Sequence, residues 1–239
     1  MSFRSGLADA ALFVRQFAGS AALTGSVAPS SPALCRALTR HVVSGGKESR
    51  AVLEVGPGTG AVTRHIARRL GPRDTLELVE ANEEFAGRLE RCLRDDAALA
   101  AVAGRTRLHR GLLQKHRLGR YDAIVCGLPF ANFPPELVTD LLQRMLGALA
   151  PGGRMAFFGY RGARVAQLLH PPRRASGRAL HDAVKPHLLG RELVLTNLPP
   201  AWVYQLAATK TPARAAATAA ETARSAAASS SGPAPVSIR

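Results

Sequence analysis

Cysteine is scarce in this 239-residue chain: only Cys35, Cys92 and Cys126 occur, without C-x-x-C spacing. Neither a disulfide framework nor a thiolate metal cluster can organise such a fold, and a reducing cytoplasm is the expected setting. The seven histidines lack paired ligand spacing, so no metal is expected. Acidic residues are also few, 17 Asp and Glu against 32 Lys and Arg, for a formal net charge of +15. A surface of that sign attracts anions, whether nucleic acid, anionic lipid headgroups or phosphorylated substrates, and charge alone does not choose among them. Aromatics make up 5% of residues with Trp202 the sole tryptophan, a poor supply of platforms for stacking bases. No window approaches the run of about 20 apolar residues that a spanning helix needs. The apolar start is broken by Arg4, Asp9, Arg15 and Gln16 and lacks a signal peptide's core. Any membrane contact is therefore expected to be peripheral.

What is present is 46% hydrophobic residues, enough for one sizeable core. Phe3, Leu7, Ala10, Val14 and Phe17 share one face of a helical wheel, so residues 1–20 form an amphipathic helix that either packs on its own domain or lies at a membrane interface. Residues 25–38 read as a turn and a helix, with Ser30 or Ser31 as N-cap and Pro32 at the first helical position. From residue 50 the pattern alternates: strands at 51–55, 75–80, 106–110, 121–127 and 154–160, and helices at 63–70, 82–93 and 135–149. That alternation predicts a parallel sheet covered on both faces. After a basic, proline-containing stretch, residues 192–198 and 202–208 read as two strands joined by a turn at Pro199 and Pro200. So short a connection makes them an antiparallel pair. From residue 212 the composition falls to Ala, Ser, Thr and Pro, which predicts a disordered tail over 212–239 and leaves 21–211 as the catalytic domain.

The chemistry is carried by Leu53, Glu54, Val55, Gly56, Pro57, Gly58, Thr59 and Gly60, between a buried strand and a helix. Glycines there let the backbone turn sharply and approach a ligand more closely than a Cβ allows. Glu80, at the end of the next strand, is placed to accept hydrogen bonds from both ribose hydroxyls of a nucleoside. Gly56, Gly58 and Ala61 also satisfy the dinucleotide pattern, so two cofactor classes compete. Glu54 separates them: a carboxylate ahead of the glycines suits a cofactor with a cationic amino acid end and repels a pyrophosphate. The closing antiparallel pair also favours the methyltransferase form of such a sheet.

The loop 54–60, the segment Gly127, Leu128, Pro129, Phe130, Ala131, Asn132, Phe133, Pro134, Pro135, the turn 150–153 and the upstream run 25–31 resemble the bacterial phospholipid N-methyltransferases. These belong to the same broad class as the ribosomal RNA adenine dimethyltransferases. The resemblance covers residues 25–160, more loosely the final pair of strands. It implies a three-layer α/β sandwich, the seven-stranded class I (Rossmann-like) methyltransferase sheet with an antiparallel last strand. It also implies S-adenosylmethionine as cofactor and the amine of phosphatidylethanolamine or an ornithine lipid as acceptor. Gly56, Gly58 and Gly60 would then cradle the cofactor, with Gly127 beside it and Glu54 under its amino acid portion. Glu80 would hold its ribose, and Ser30 and Ser31 would close over the amino acid end. Two departures stand out. The acid that usually receives the adenine amine after the third strand is replaced by Leu112, Leu113 and Gln114, with Gln114 the available substitute. Gly127 stands where base methylases usually carry Asn.

Methyl transfer to a neutral amine is an in-line displacement that demands alignment more than acid or base force. The expected roles are the carbonyls of Leu128 and Pro129 to aim the amine, the ring of Phe130 to face growing positive charge, and Tyr160 to accept or relay a proton. Phe133 reads as core. Arg161, Arg164, Arg173, Arg174, Arg178, Lys185 and Arg191 lie between the fifth strand and the final pair, beside the expected mouth of the site, where arginines suit phosphate through bidentate pairing. With the N-terminal helix they are expected to dock on an anionic membrane. An RNA adenine methylase and a non-catalytic binding module are the competing readings; nucleic acid is disfavoured because no helical RNA-gripping domain follows, and the intact loop disfavours the module. Deleting residues 1–20 is expected to lower co-sedimentation with anionic vesicles; unchanged sedimentation would assign that helix to intramolecular packing.

Overall fold

The computed structural model describes residues 30–43, 48–161 and 171–208, the side chains of 171–173 excepted. The amphipathic segment 1–20, Arg164, the Arg173 side chain and the tail 212–239 lie outside the described residues.

Seven strands form one sheet: β1 (Ala51–Val55), β2 (Thr75–Glu80), β3 (Thr106–Arg110), β4 (Tyr121–Cys126), β5 (Leu149–Tyr160), β6 (Leu188–Val194) and β7 (Ala201–Ala207), in the order β3-β2-β1-β4-β5-β7-β6. Strands β1 to β5 pair in parallel, whereas β7 runs antiparallel to both β5 and β6. This is the architecture expected from the alternating pattern. The helices are α1 (Pro32–Leu38), α2 (Ala61–Ala67), α3 (Glu83–Asp95), α4 (Ala97–Ala100), α5 (Pro135–Gly147) and α6 (Pro171–Val184).

The central strands are short apolar runs because both of their faces are covered. Leu53, Val55, Ile124, Cys126, Met155 and Phe157 point to the layer holding α5, while Val52, Leu76, Leu78, Ala123, Val125 and Ala156 point to the layer of α1 and α2. The period-2 alternation of β1 therefore sends Glu54 toward α1 and α2 along with Val52. Strand order reverses between β1 and β4, the place where open α/β sheets bind ligands beyond the carboxyl ends of their strands.

Caps fix several boundaries. Ser31 Oγ accepts from Leu34 N at the start of α1, with Pro32 at the first position, and Asn82 Oδ1 accepts from Phe85 N to start α3. Several boundaries differ from the sequence reading. Helix α2 begins at Ala61, directly off the glycine loop, two residues earlier than the apolar spacing indicates. Strand β5 begins at Leu149, before Pro151, Gly152 and Gly153, and its pairing slips between Tyr121 and Ala123 on β4. Strand β6 covers Leu188–Val194 instead of residues 192–198. Residues 195–198 look strand-like, but Asn197 turns them: its Oδ1 accepts from Ser31 N and its Nδ2 donates to the Pro199 carbonyl. Local turn chemistry overrides β propensity there.

The largest omission is α6. Pro171 and Pro172 read as breakers, yet they occupy the first turn of the helix, where no N–H is needed. Helix α6 packs beside α5 and closes that layer of the sandwich. Leu142 of α5 is fully buried in the same core. Leu142→Ala is expected to lower unfolding free energy by about 2–5 kcal/mol, measured by urea denaturation; a loss below about 1 kcal/mol would mean that the layer repacks freely.

Candidate active site

A cavity of about 550 Å³ opens beyond the carboxyl ends of the central strands and extends across β5 and β7 toward α6. One end is bare main chain. Gly56, Gly58 and Gly60 all have positive φ, at 68°, 55° and 80°, a region that side-chain-bearing residues rarely enter. A Cβ on Gly58 would meet nothing within 4 Å, and Gly58 lines the cavity, so its missing side chain leaves space for a ligand. Gly127 has a different reason to be glycine: a Cβ there would lie 2.5 Å from the Gly56 carbonyl oxygen. The Asn common at this position in base methylases has no room in this backbone.

Glu80 lines the same end and is 6% exposed. Its Oε2 accepts from Gly58 N at 2.9 Å and its Oε1 from Asn82 N at 2.8 Å. The carboxylate is thereby held against the glycine loop with lone pairs left for a sugar. Burial raises its pKa, while the Asn82 and Gly58 amides pull it back. Gly111 to Gln114 form an adjoining wall, in which Gln114 offers the polar side chain where an acid was expected.

Glu54 is 2% exposed and does not line the cavity. Its Oε2 has no hydrogen-bond partner; the Thr63 hydroxyl is the neighbour that favours the charged form, yet Thr63 Oγ1 also lacks a completed bond. Burial is the main cause that drives the Glu54 pKa up to about 8, with Glu80 adding to it. An orphaned buried carboxyl beneath a glycine loop, together with the open face of Gly58 and the anchored Glu80, fits a nucleoside with a cationic amino acid end.

Gly60, Ser30 and Ser31, expected at the cofactor, do not line this cavity. Gly60 lies outside the cavity, where its positive φ starts α2 and a Cβ would press on Leu89 at 3.1 Å. Ser31 spends its hydroxyl on capping α1 and its amide on Asn197, and neither Ser30 nor Ser31 lines the cavity. Their link to the site is indirect, through Cys35 of α1, whose thiol is pushed up to about 11 by burial and then by the Glu54 charge.

Leu128, Pro129 and Phe130 do line the cavity, on a short turn after β4. The Leu128 carbonyl accepts from Phe130 N and the Pro129 carbonyl from Asn132 N, so each keeps one lone pair for another donor. Phe130 is buried and meets Phe157 edge-on at 5.4 Å and Phe133 at 6.4 Å. Phe133 lines the cavity as well, besides belonging to the core. Phe157 stacks on Tyr204 at 4.8 Å. Tyr160 lines the mouth, and burial raises its pKa, so its hydroxyl stays protonated near neutrality and acts through hydrogen bonds instead of as a base.

Apart from Lys185 and Arg191, which belong to the basic stretch read beside the mouth, the far wall was not anticipated. Gly177, Leu180, His181 and Val184 of α6 face the cavity at spacings of three, one and three, followed by Lys185, Leu188 and Arg191. Trp202 and Tyr204 of β7 complete it, with the Arg191 guanidinium 4.6 Å from the Trp202 ring centre. The helical spacing is present in the sequence but was hidden behind the proline pair. Arg161, Arg174 and Arg178 are exposed and outside the lining.

A second polar cluster lies outside the cavity. Glu77, His109 and His116 are the one Glu/His trio among the described residues whose ligand atoms lie within 4.8 Å of one another. Glu77 Oε1 meets His109 Nε2 at 3.0 Å and His116 Nε2 at 2.5 Å, and Oε2 accepts from Tyr121 OH at 2.7 Å. Its carboxylate is thus satisfied within the chain.

A carboxyl whose folded pKa stands near 8 and whose ordinary value is 4.5 supports folding fully below pH 4.5, and that support is lost as pH rises toward 8. Glu54→Gln is therefore expected to unfold at a higher temperature than the parent at pH 8, with the gap closing by pH 4. Equal midpoints at pH 8 would show that Glu54 is not held neutral.

A family model described as a methyltransferase domain matches residues 52–153. The ornithine lipid N-methyltransferase of Singulisphaera acidiphila is 34% identical over 145 residues, which span 61% of this chain and 74% of that enzyme. Among solved structures, the O-methyltransferase TomG of Streptomyces achromogenes, in complex with SAM, superposes with a TM-score of 0.58 at 18% identity, covering 82% of this chain and 90% of its own. The O-methyltransferase of Bacillus cereus, in complex with SAH, gives 0.56 at 16% identity, with 83% and 90% covered. TrmN of Thermus thermophilus gives 0.55 at 22% identity over 82% of this chain, which spans about half (53%) of that one. With the sheet order and the glycine cradle they agree on one conclusion: the chain is a class I S-adenosylmethionine-dependent methyltransferase and belongs to the family of the Singulisphaera enzyme.

Proposed function

We propose that the acceptor is the amine of a membrane lipid headgroup, phosphatidylethanolamine or an ornithine lipid. The observation that carries this reading is the continuity of one cavity from Gly58 and Glu80 to a wall of Phe157, Tyr204, Trp202 and Leu188. A small polar acceptor needs no such apolar extension, whereas a headgroup that brings its chains does. The name of the Singulisphaera relative points the same way.

S-adenosylmethionine, when bound, supplies a methyl group on a sulfonium sulfur for in-line displacement. The chain's own residues position and select. The Gly56 and Gly58 main chain admits the cofactor closely, Glu80 accepts from its ribose, and the buried Glu54 carboxyl lies below its amino acid end. Gln114 stands at the adenine wall. Leu128 and Pro129 each hold one free carbonyl lone pair toward the amine's N–H bonds, which orients the nitrogen. Phe130 sets the floor on which positive charge grows, a ring interaction of about 0.5–2 kcal/mol. The Tyr160 hydroxyl oxygen accepts a hydrogen bond from the amine's N–H at the mouth, and the proton stays on nitrogen in the ammonium product.

Access to a bilayer is assigned to the end of the sheet that carries the cavity. Leu195 and Leu198, in the β6–β7 connection, are 62% and 77% exposed. Arg161 is tied beside them by a hydrogen bond from its backbone N–H to the Pro200 carbonyl. With the exposed Arg174 and Arg178 they supply a peripheral docking face, each well-placed cation adding about 1 kcal/mol near anionic lipid. No helix among the described residues is long and apolar enough to cross a membrane.

Incubation with methyl-labelled cofactor and vesicles containing phosphatidylethanolamine or ornithine lipid is expected to place label in the lipid fraction. Gly58→Val, which fills the cradle, should abolish both the transfer and calorimetric cofactor binding while the circular dichroism spectrum is kept. Label appearing in RNA and not in lipid would refute the lipid assignment.

A further inference from the structure

The cavity is electrically lopsided. Glu80 at the cofactor end is its one carboxylate among the described residues, whereas the far rim carries His181, Lys185 and Arg191 and no acid. None of the three forms an ion pair among the described residues, although neighbouring Glu192 is engaged by Arg40. All three are exposed at the rim while the wall between them is apolar: Leu180, Val184, Trp202 and Tyr204. The placement follows from the fold. His181 belongs to the α6 stripe that faces the cavity, Lys185 follows one turn later, and Arg191 stands opposite Tyr204 in the β6–β7 ladder. Stacking on Trp202 orients the Arg191 guanidinium plane, which leaves its edge N–H groups for an oxygen pair.

We propose that Lys185 and Arg191, assisted by His181, form a subsite for the anionic group of the acceptor, an oxyanion lying a few bonds from the amine to be methylated. This deepens the lipid-amine reading and rests on it. Two zwitterions share the required chemistry: a phosphodiester beside an ethanolamine, and a carboxylate beside an ornithine side chain. The subsite anchors that anion at the rim, directs the amine inward toward Leu128 and Pro129, and leaves the acyl chains along the apolar wall. An amine without an anion loses the anchor, so the rim selects amphiphilic zwitterions over simple amines.

Trp202, the sole tryptophan, sits inside this subsite and reports its filling directly. Its fluorescence is to be titrated on the full chain with three monomeric probes: dihexanoyl phosphatidylethanolamine, N-hexanoyl ornithine and hexylamine. At least one zwitterion is expected to saturate at a concentration about tenfold or more below that of hexylamine, the fold-change of one charge-assisted pair. Whichever zwitterion does so identifies the source of the oxyanion. Lys185→Gln and Arg191→Gln should each raise the half-saturation for that zwitterion about tenfold and leave hexylamine unchanged. Half-saturation is compared instead of amplitude because Arg191→Gln alters the tryptophan's surroundings, and Lys185→Gln does not remove its stacked partner. Both side chains are exposed, so the variants keep the core.

Parent-like half-saturation in both variants overturns the subsite, as does methylation of either zwitterion with an unchanged KM in both. If instead neither zwitterion is methylated while their binding still depends on Lys185 and Arg191, the lipid-amine reading fails and the anion subsite stands.

Discussion

Two glycine loops meet backbone against backbone where the strand order reverses, and the site is built around that contact. The Gly56 carbonyl lies so near Gly127 that no side chain fits between them, while Gly127 N donates to the Val55 carbonyl. This closeness brings the ends of β1 and β4 together and sets the Leu128–Phe130 turn directly beside the cofactor cradle. Position 127 thus serves backbone packing and has no room for a side chain.

Around that contact the molecule separates charge by depth. Glu54, sealed under the loop, has its pKa pushed up to about 8, chiefly by burial. Glu80 is tied by two backbone amides and remains at the cavity surface. The cations are kept to the outer rim, on α6 and β6, where water still screens them.

Some of this was legible in the residues. The strands at 51–55, 75–80 and 106–110 are where alternation placed them, because short apolar runs bounded by polar turns have few other uses in a buried sheet. Glu80 and Gly58 meet as their spacing indicated. The rest depended on competition that a local pattern does not record. Residues 195–198 resemble a strand, but Asn197 is used to tie down the entry to α1. Pro171 and Pro172 look like an interruption, but they open a helix whose stripe lines half of the acceptor wall. Ser31 caps α1 as its position before Pro32 indicated.

The sequence by itself determined the glycine cradle and its acid, because they rest on contacts within about thirty residues and on backbone freedom peculiar to glycine, and its alternation of strands and helices called for the layered α/β sheet. Only the tertiary structure decided which side chains reach the acceptor. Trp202, Arg191, Lys185 and His181 arrive there by the antiparallel insertion of β7 between β5 and β6 and by the packing of α6 on α5. Those are long-range pairings, set by how apolar faces find cover and invisible in any single stretch of chain.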